Sequence, residues 1–250
     1  MHVAAIVLAG AAIGLFISIF GVGGSVATPL LSLIGVPPLA AVASPLPATI
    51  PGSLLGVRPY VKSGEARPKA AAWSLLGAVP STILGAYLSK AVGGPALLVC
   101  SGAMLAFAGI RVVMPISDEH RERGTARRMN RPVLVASTFA AGFVAGLLAN
   151  GGGFLLMPMY LLFFGLRMRQ SVGTALLVAS VLSLPSLAVH TALGHVNWSV
   201  AAYFAIGVIP TSVIGGHYSK RFGTGVQRRI FGVFLVVFGV AFTAYRLLAF

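Results

Sequence analysis

The second half of the chain repeats the first at a constant offset of about 130 residues. Chance rarely aligns so many glycines and prolines without a gap, so the repeat predicts two structurally similar halves. The matching pairs are Gly64 with Gly194, Gly77 with Gly207, Pro80 with Pro210, Gly85 with Gly215, Gly102 with Gly232 and Gly109 with Gly239.

The composition indicates that the chain is solvated by lipid. Hydrophobic residues make up 57% and charged residues 9% of the 250 positions, whereas a soluble domain carries roughly 25% charged residues. The net charge of +14 would suggest nucleic acid in a soluble protein. Here the basic residues lie between apolar runs, so they indicate membrane orientation and contact with anionic lipid. We predict a multi-pass protein of the cell (inner) membrane that binds no nucleic acid.

Each half contains five apolar segments, which predicts an all-α integral membrane protein. The second and seventh segments are short: about 12 helical residues rise only ~18 Å against a hydrocarbon core of ~30 Å. A Gly-rich break precedes each of them, at residues 21–24 and 150–153. We therefore expect a short or re-entrant hairpin in each half. The segments are 3–20, 25–36, 39–57, 70–89, 95–114, 132–149, 153–166, 171–192, 198–219 and 226–247.

Charge distribution predicts the topology. If all ten segments count as crossings or as legs of a hairpin, all but two of the 18 Lys and Arg residues lie on one face; the exceptions are Lys90 and Arg246. The positive-inside rule assigns that face to the cytoplasm and both termini to the opposite side. Because five is odd, the second repeat is inverted relative to the first. The predicted units are a first repeat (1–114), a basic cytoplasmic linker (115–131) and a second repeat (132–250).

The two glycine breaks are the strongest candidates for a binding site. Non-helical backbone at membrane depth exposes peptide groups that need a partner, and glycine leaves its amide uncovered. A helix that begins there directs free N–H groups and its positive dipole end into the gap. Two inverted hairpins would bring two such ends to the bilayer midplane, where an anion is the natural occupant. The alternative is that these glycines serve only close helix packing, which is our interpretation of Gly207, Gly215 and Gly216.

These motifs resemble those of the sulfite exporter TauE/SafE family, over essentially the whole chain and in both halves. The resemblance implies an integral membrane transporter that exports sulfite, sulfonates or related small organic anions. It is carried by Gly21-Val22-Gly23-Gly24-Ser25 with Pro29, Asn150-Gly151-Gly152-Gly153 with Pro158, Ala43-Ser44-Pro45, and Gly173-Thr174-Ala175.

Polar residues beside these motifs complete the predicted substrate site. Hydroxyls can donate to a sulfonate or carboxylate oxygen, although most bond back to their own helix or a neighbour. Pro45, Pro47 and Pro51 should kink or unwind the third segment. The predicted substrate-binding residues are Gly23, Gly24, Ser25, Thr28, Ser44, Asn150, Gly151, Gly152, Gly153 and Thr174.

The titratable residues limit the coupling mechanism. His190 and His217 are candidates for a proton-linked role, the alternative being buried neutral imidazoles. The four acids, Glu65 and three in the linker, all fall in predicted cytoplasmic loops, so no intramembrane carboxylate is expected as a proton relay or sodium ligand. An anion leaving a negative interior gains ~2.3 kcal/mol per charge per 100 mV, so the membrane potential alone could drive export.

Other function classes fit less well. An anion channel with a continuous pore is the main alternative, since the same amides could line it. An enzyme would need a nucleophile and base or metal ligands, and the membrane segments offer only Cys100, two histidines and scattered hydroxyls. A structural subunit would not need the glycine breaks. We therefore predict no enzyme activity, no cofactor and no metal, and leave the oligomeric state open.

Overall fold

The computed structural model describes residues 3–21, 24–113, 130–149, 151–218 and 224–248. Within these ranges every regular element is an α-helix, as predicted. The predicted linker lies almost wholly outside the described residues. The helices are α1 (Val3–Phe20), α2 (Gly24–Leu33), α3 (Pro38–Ala43), α4 (Leu46–Lys62), α5 (Pro68–Val92), α6 (Gly94–Val113), α7 (Arg131–Leu147), α8 (Gly153–Leu162), α9 (Met168–Ala192), α10 (Trp198–Tyr218) and α11 (Thr224–Leu248).

Six stretches of the described residues are long and apolar enough to cross a membrane: α1, α3 with α4, α5, α6, α9 and α10. The second and seventh predicted segments are short, as expected, because α2 and α8 have 10 residues each. The third segment breaks at Ser44-Pro45, between α3 and α4, in agreement with its prolines. Its counterpart α9 runs unbroken for 25 residues despite Pro185.

The side chains are distributed as a lipid-solvated protein requires. Large apolar side chains cover the outside, such as Leu8, which is 69% exposed, and Ile206, which is 61% exposed. Hydroxyls are instead buried inside, including Thr28 and Thr174. With lipid as the solvent, the hydrophobic effect does not drive helices together, and close packing with internal hydrogen bonds has to hold the bundle.

Glycines allow three helix pairs to pack at backbone distance: α1 with α10, α5 with α7, and α6 with α11. A Cβ atom on Gly207 would overlap the carbonyl oxygen of Val7, and one on Gly85 would overlap that of Phe143. Gly215 likewise lies against the Leu15 backbone. Helices α4 and α9 contact each other between these pairs, and α4 also packs on α10 and α9 on α5.

Candidate functional site

The two glycine breaks meet in the structure. The chain leaves α1 at Gly21 with φ +75°, and it enters α8 through Gly152, whose φ is +77°. A side chain on Gly153 would overlap the carbonyl oxygen of Gly21, so this position requires glycine. The break of the first half and the break of the second half are therefore in direct contact. Two of the predicted site residues, Gly23 and Asn150, lie outside the described residues.

One face of α9 lines both breaks. Gly21 lies against the backbone of Val172, and Gly153 lies near the Cβ atom of Ala179. The hydroxyl of Ser183 is 2.6 Å from the place where a Cβ atom on Gly151 would stand. These α9 residues are spaced by seven and four positions, which puts them on one side of a helix. Helix α9 thus forms a shared wall for the two breaks.

The start of α2 carries a buried hydroxyl with no partner. Ser25 is 1% exposed, and its Oγ atom makes no hydrogen bond within the described structure. A buried hydroxyl of this kind costs free energy unless something accepts or donates to it. Thr28, one turn later, differs because its hydroxyl donates to the Gly24 carbonyl of the same helix at 3.3 Å. The hydroxyl of Ser25 is therefore more available than that of Thr28 to donate a hydrogen bond to a ligand.

Ser44 and Thr174 hold the two halves together. The Oγ atom of Ser44 accepts a hydrogen bond from the backbone N–H of Asn197 at 3.0 Å, and Thr174 Oγ1 accepts one from the N–H of Arg67 at 3.1 Å. The two bonds are equivalent under the sequence repeat, because Thr174 follows Ser44 and Asn197 follows Arg67 by 130 residues each. Both hydroxyl oxygens, predicted to contact substrate, thus accept bonds from turns of the opposite half.

The histidines differ from each other in placement. His190 is completely buried in α9; its Nε2 atom lies 3.0 Å from the carbonyl oxygen of Gly146 and its Nδ1 atom 3.1 Å from Nδ1 of His195. His217 lies exposed in the last turn of α10, where it lines a cavity of about 290 Å³ with Arg58 and Lys62. The alternative that His217 is a buried imidazole therefore does not hold, and its proton-linked role stays a prediction.

His195 is a site candidate that the sequence predictions missed. It follows the end of α9 and is only 8% exposed. Its burial and the charge of Lys90 lower its pKa from the usual 6.5. The signal for it in the sequence is weak: the spacing of five residues across Gly194 permits a turn that places the two rings together.

Comparison with known proteins identifies the family. The model of the sulfite exporter TauE/SafE family matches residues 6–242. The chain belongs to this family. The "probable membrane transporter protein YjnA" of Bacillus subtilis is 25% identical over 94% of this chain and 97% of its own length.

Two further relatives match over a shorter stretch. The "probable membrane transporter protein YunE" of Bacillus subtilis is 25% identical over 60% of this chain. A "probable membrane transporter protein" of Xylella fastidiosa is 29% identical over 63% of it. These matches span 58% and 62% of the length of the two relatives. No solved structure matches the chain. Membership of this family and the six apolar helical stretches make it a multi-pass membrane protein.

Proposed function

We propose that the protein transports a small anion, such as sulfite or a sulfonate, bound at the start of α2 beside the contact between the two glycine breaks. Export is the direction in which the membrane potential moves a free anion. Two inverted repeats would rock against each other to expose the site on alternate sides.

The observation that carries this proposal is the unpartnered hydroxyl of Ser25, buried at the start of α2. A hydroxyl that donates to an anion forms a stronger bond than one between neutral groups. The N-terminal ends of α2 and α8 follow the two breaks and add positive dipole ends, which favour negative charge. Sulfite and sulfonates offer several acceptor oxygens for such donors.

The exchanged hydrogen bonds support the inverted-repeat arrangement. Ser44 corresponds to Thr174 and Arg67 to Asn197 at the offset of the repeat, and each hydroxyl accepts from the turn of the opposite half. A two-fold relation between the halves produces paired contacts of this kind. The packing of α1 on α10 and of α7 on α5 follows the same relation.

The close approach of the breaks supports a carrier over a channel. The carbonyl of Gly21 lies directly against Gly153, which leaves no opening between these two residues. A carrier must separate the breaks to release its anion, whereas a channel would keep a passage there. Flux rate distinguishes the two, because a channel moves ions far faster than a protein that changes conformation in every cycle.

The test compares two buried serines. Ser25 and Ser212 are both buried, and neither hydroxyl has a partner in the described structure. Ser212 lies on α10, where its Oγ atom is 3.1 Å from the place of a Cβ atom on Gly52 of α4. The unfolding temperature of purified protein is measured with sulfite, sulfate, thiosulfate, sulfoacetate, taurine and simple carboxylates, since a ligand of the native state raises it. Efflux of each stabilising anion is then followed from proteoliposomes.

We expect at least one sulfur oxyanion or sulfonate to raise the unfolding temperature and to be transported. Ser25→Ala should weaken binding roughly tenfold, the loss of one charge-assisted hydrogen bond, while Ser212→Ala should not. Stability without ligand should stay nearly constant in both variants, because neither hydroxyl has a protein partner to lose. Binding of no anion, or equal effects of the two substitutions, would contradict the proposed site.

A further inference from the structure

We infer that His190 and His195 form one proton-binding site, linked to the anion site by α9, so that a bound proton strengthens anion binding. This inference rests on the proposed function. It replaces the expectation from sequence that the membrane potential alone drives transport, because a proton that moves with the anion reduces the net charge carried.

The geometry fixes the resting protonation of the pair. A carbonyl oxygen only accepts hydrogen bonds, so His190 donates its Nε2–H to Gly146. A neutral imidazole with its proton on Nε2 has a lone pair on Nδ1, which accepts the Nδ1–H of His195 across 3.1 Å. Nε2 of His195 is then the nitrogen that remains available to take up a proton. Both rings are satisfied while the pair is neutral.

One added proton is accommodated, and a second is not. A proton that binds Nε2 of His195 makes this ring cationic; its Nδ1 proton can then pass to Nδ1 of His190, which carries the charge into the buried ring. Two cationic rings with their Nδ1 atoms 3.1 Å apart would both present N–H groups to each other and repel. The pair therefore binds a single proton, shared between the rings.

The surroundings of the pair keep it neutral until an anion arrives. The charged group that faces it is Lys90 on α5, whose charge disfavours protonation of His195. Helix α7 contributes the neutral carbonyl of Gly146. The only acidic residue in the described part of the chain is Glu65. It lies in the turn between α4 and α5 and pairs with Arg169. An anion bound nearby would supply the missing negative charge.

The proton site and the anion site share one face of α9. Ser183, which contacts Gly151, precedes His190 by seven residues, or two helical turns. At 1.5 Å per residue His190 lies about 10 Å further along the axis. Ser186 lies between them, fully buried and with its hydroxyl unpartnered in the described structure. At this separation in a low-dielectric interior, a cation and an anion attract each other.

Linkage makes the effect reciprocal and measurable. If the proton strengthens anion binding, the anion raises the proton affinity of the pair by the same factor. Methanesulfonate serves as the probe because its own charge is constant over the range tested. Its affinity is measured by thermal shift at about pH 7.5 and about pH 5.5, on either side of an ordinary histidine pKa. A pH dye enclosed in proteoliposomes reports protons that move with the anion.

Four variants separate the possible roles. We expect wild-type affinity to rise about fivefold or more from the neutral to the acidic condition, and anion efflux to remove protons from the lumen. His190→Gln and His195→Gln should each abolish both effects while still binding the probe. His217→Gln, at the exposed end of α10, should retain both. Lys90→Gln should shift the rise in affinity to higher pH, a gain that a misfolded protein cannot produce.

The outcomes distinguish the inference from the proposed function. Absence of probe binding at either pH would overturn the proposed sulfonate site and the inference with it. Binding and flux that do not depend on pH would uphold transport, restore potential-driven export and overturn the inference. A pH dependence that survives in His190→Gln and His195→Gln, or disappears in His217→Gln, would also overturn it.

Discussion

The turn after α4 and the turn after α9 have the same backbone and opposite chemistry. Gly64 and Gly194 adopt φ values of +70° and +72°. Glu65 donates its N–H to the carbonyl of Tyr60, five residues back, as His195 does to that of His190.

The side chains of the two turns differ. Glu65 pairs with Arg169 of α9 at 2.5 Å, and the guanidinium of Arg169 lies 5.5 Å from the centre of the Tyr60 ring. His195 instead contacts the ring of His190. An ion pair of Glu and Arg keeps its charges between pH 5 and pH 8, whereas imidazoles titrate there. We therefore expect the turn after α4 to be insensitive to physiological pH and the turn after α9 to respond to it.

The largest expected effect comes from breaking the ion pair. Glu65→Gln leaves the charge of Arg169 partly buried, with side-chain exposures of 26% and 18% for Glu65 and Arg169. We expect a loss of roughly 1–2 kcal/mol of unfolding free energy, between the values for surface and buried pairs. Denaturation of the solubilised protein measures it, and the double variant with Arg169→Gln should recover part of the loss. Arg167→Gln, an exposed neighbour, should change stability by less than about 0.5 kcal/mol.

Removal of the hydroxyls of Thr174 and Ser44 tests the hydrogen bond that each turn makes to the opposite half. Thr174→Val and Ser44→Ala each leave one backbone N–H of an opposite turn without its acceptor. Each should cost about 1 kcal/mol, since Arg67 and Asn197 are exposed and water can partly replace the bond. Equal losses in unfolding free energy would support an equivalent role. A loss confined to one half would show that the two turns are coupled differently to the bundle.

The pH dependence of stability tests the difference between the turns, which is the presence of titrating histidines at only one of them. Burial and the charge of Lys90 lower the pKa of His195 from 6.5, so in acid the folded protein binds fewer protons than the unfolded chain. The stability contributed by neutral His195 is present above about pH 6.5 and is lost as the pH falls below it. Thermal unfolding without anion, from about pH 7.5 to about pH 5.5, should show this decline.

Matched variants identify the source of that decline. His195→Gln should flatten it, because the titrating ring is gone, and Glu65→Gln should leave it unchanged. An unfolding temperature that falls with acid equally in the wild type and in His195→Gln would show that other groups titrate. Addition of methanesulfonate should reduce the decline if proton and anion binding are linked.

The sequence predicted the helices well because segment length and backbone chemistry act locally; the inversion and sidedness inferred from the charge pattern stay predictions. The apolar runs, the two short helices and the proline break at Ser44-Pro45 all follow from segment length and backbone chemistry. The roles of Ser44 and Thr174 could not be read in this way, because their partners, Asn197 and Arg67, lie in the other half of the chain. The exposure of His217 could not be read either, because hydrophobicity alone does not show which side of a helix faces the rest of the bundle.

The contact between the two glycine breaks could be predicted only in part for the same reason. Glycines at a break indicate close approach of some backbone, and the sequence located both breaks. That they approach each other, through Gly21 and Gly153, depends on how α1 and α8 are placed by the rest of the bundle. The pairing of His190 with His195 depends on the turn geometry at Gly194, which a single sequence specifies weakly.

The smallest expected effect concerns the two glycine breaks. Like the two turns, they are equivalent in the repeat but differ in detail. The first half leaves its helix through a left-handed glycine, Gly21, whereas the second half reaches the left-handed region already at Ala149, with φ +49°. The counterpart of Ala149 at the repeat offset is Ile19, which is still helical. A left-handed conformation costs a residue with a side chain roughly 1–2 kcal/mol. Ala149→Gly should therefore stabilise the protein by about 0.5–1 kcal/mol after the greater backbone freedom of glycine in the unfolded chain is subtracted.

For a chain of this size, Ala149→Gly should raise the unfolding temperature by about 1–4 °C. Gly225→Ala is a suitable reference for the size of a Gly/Ala exchange, because a Cβ atom there meets open space. If Ala149→Gly stabilises the protein but slows anion efflux, the strain at Ala149 belongs to the transport cycle, since backbone strain persists where it serves function. If it stabilises the protein and leaves efflux unchanged, the difference between the two breaks is a structural one alone.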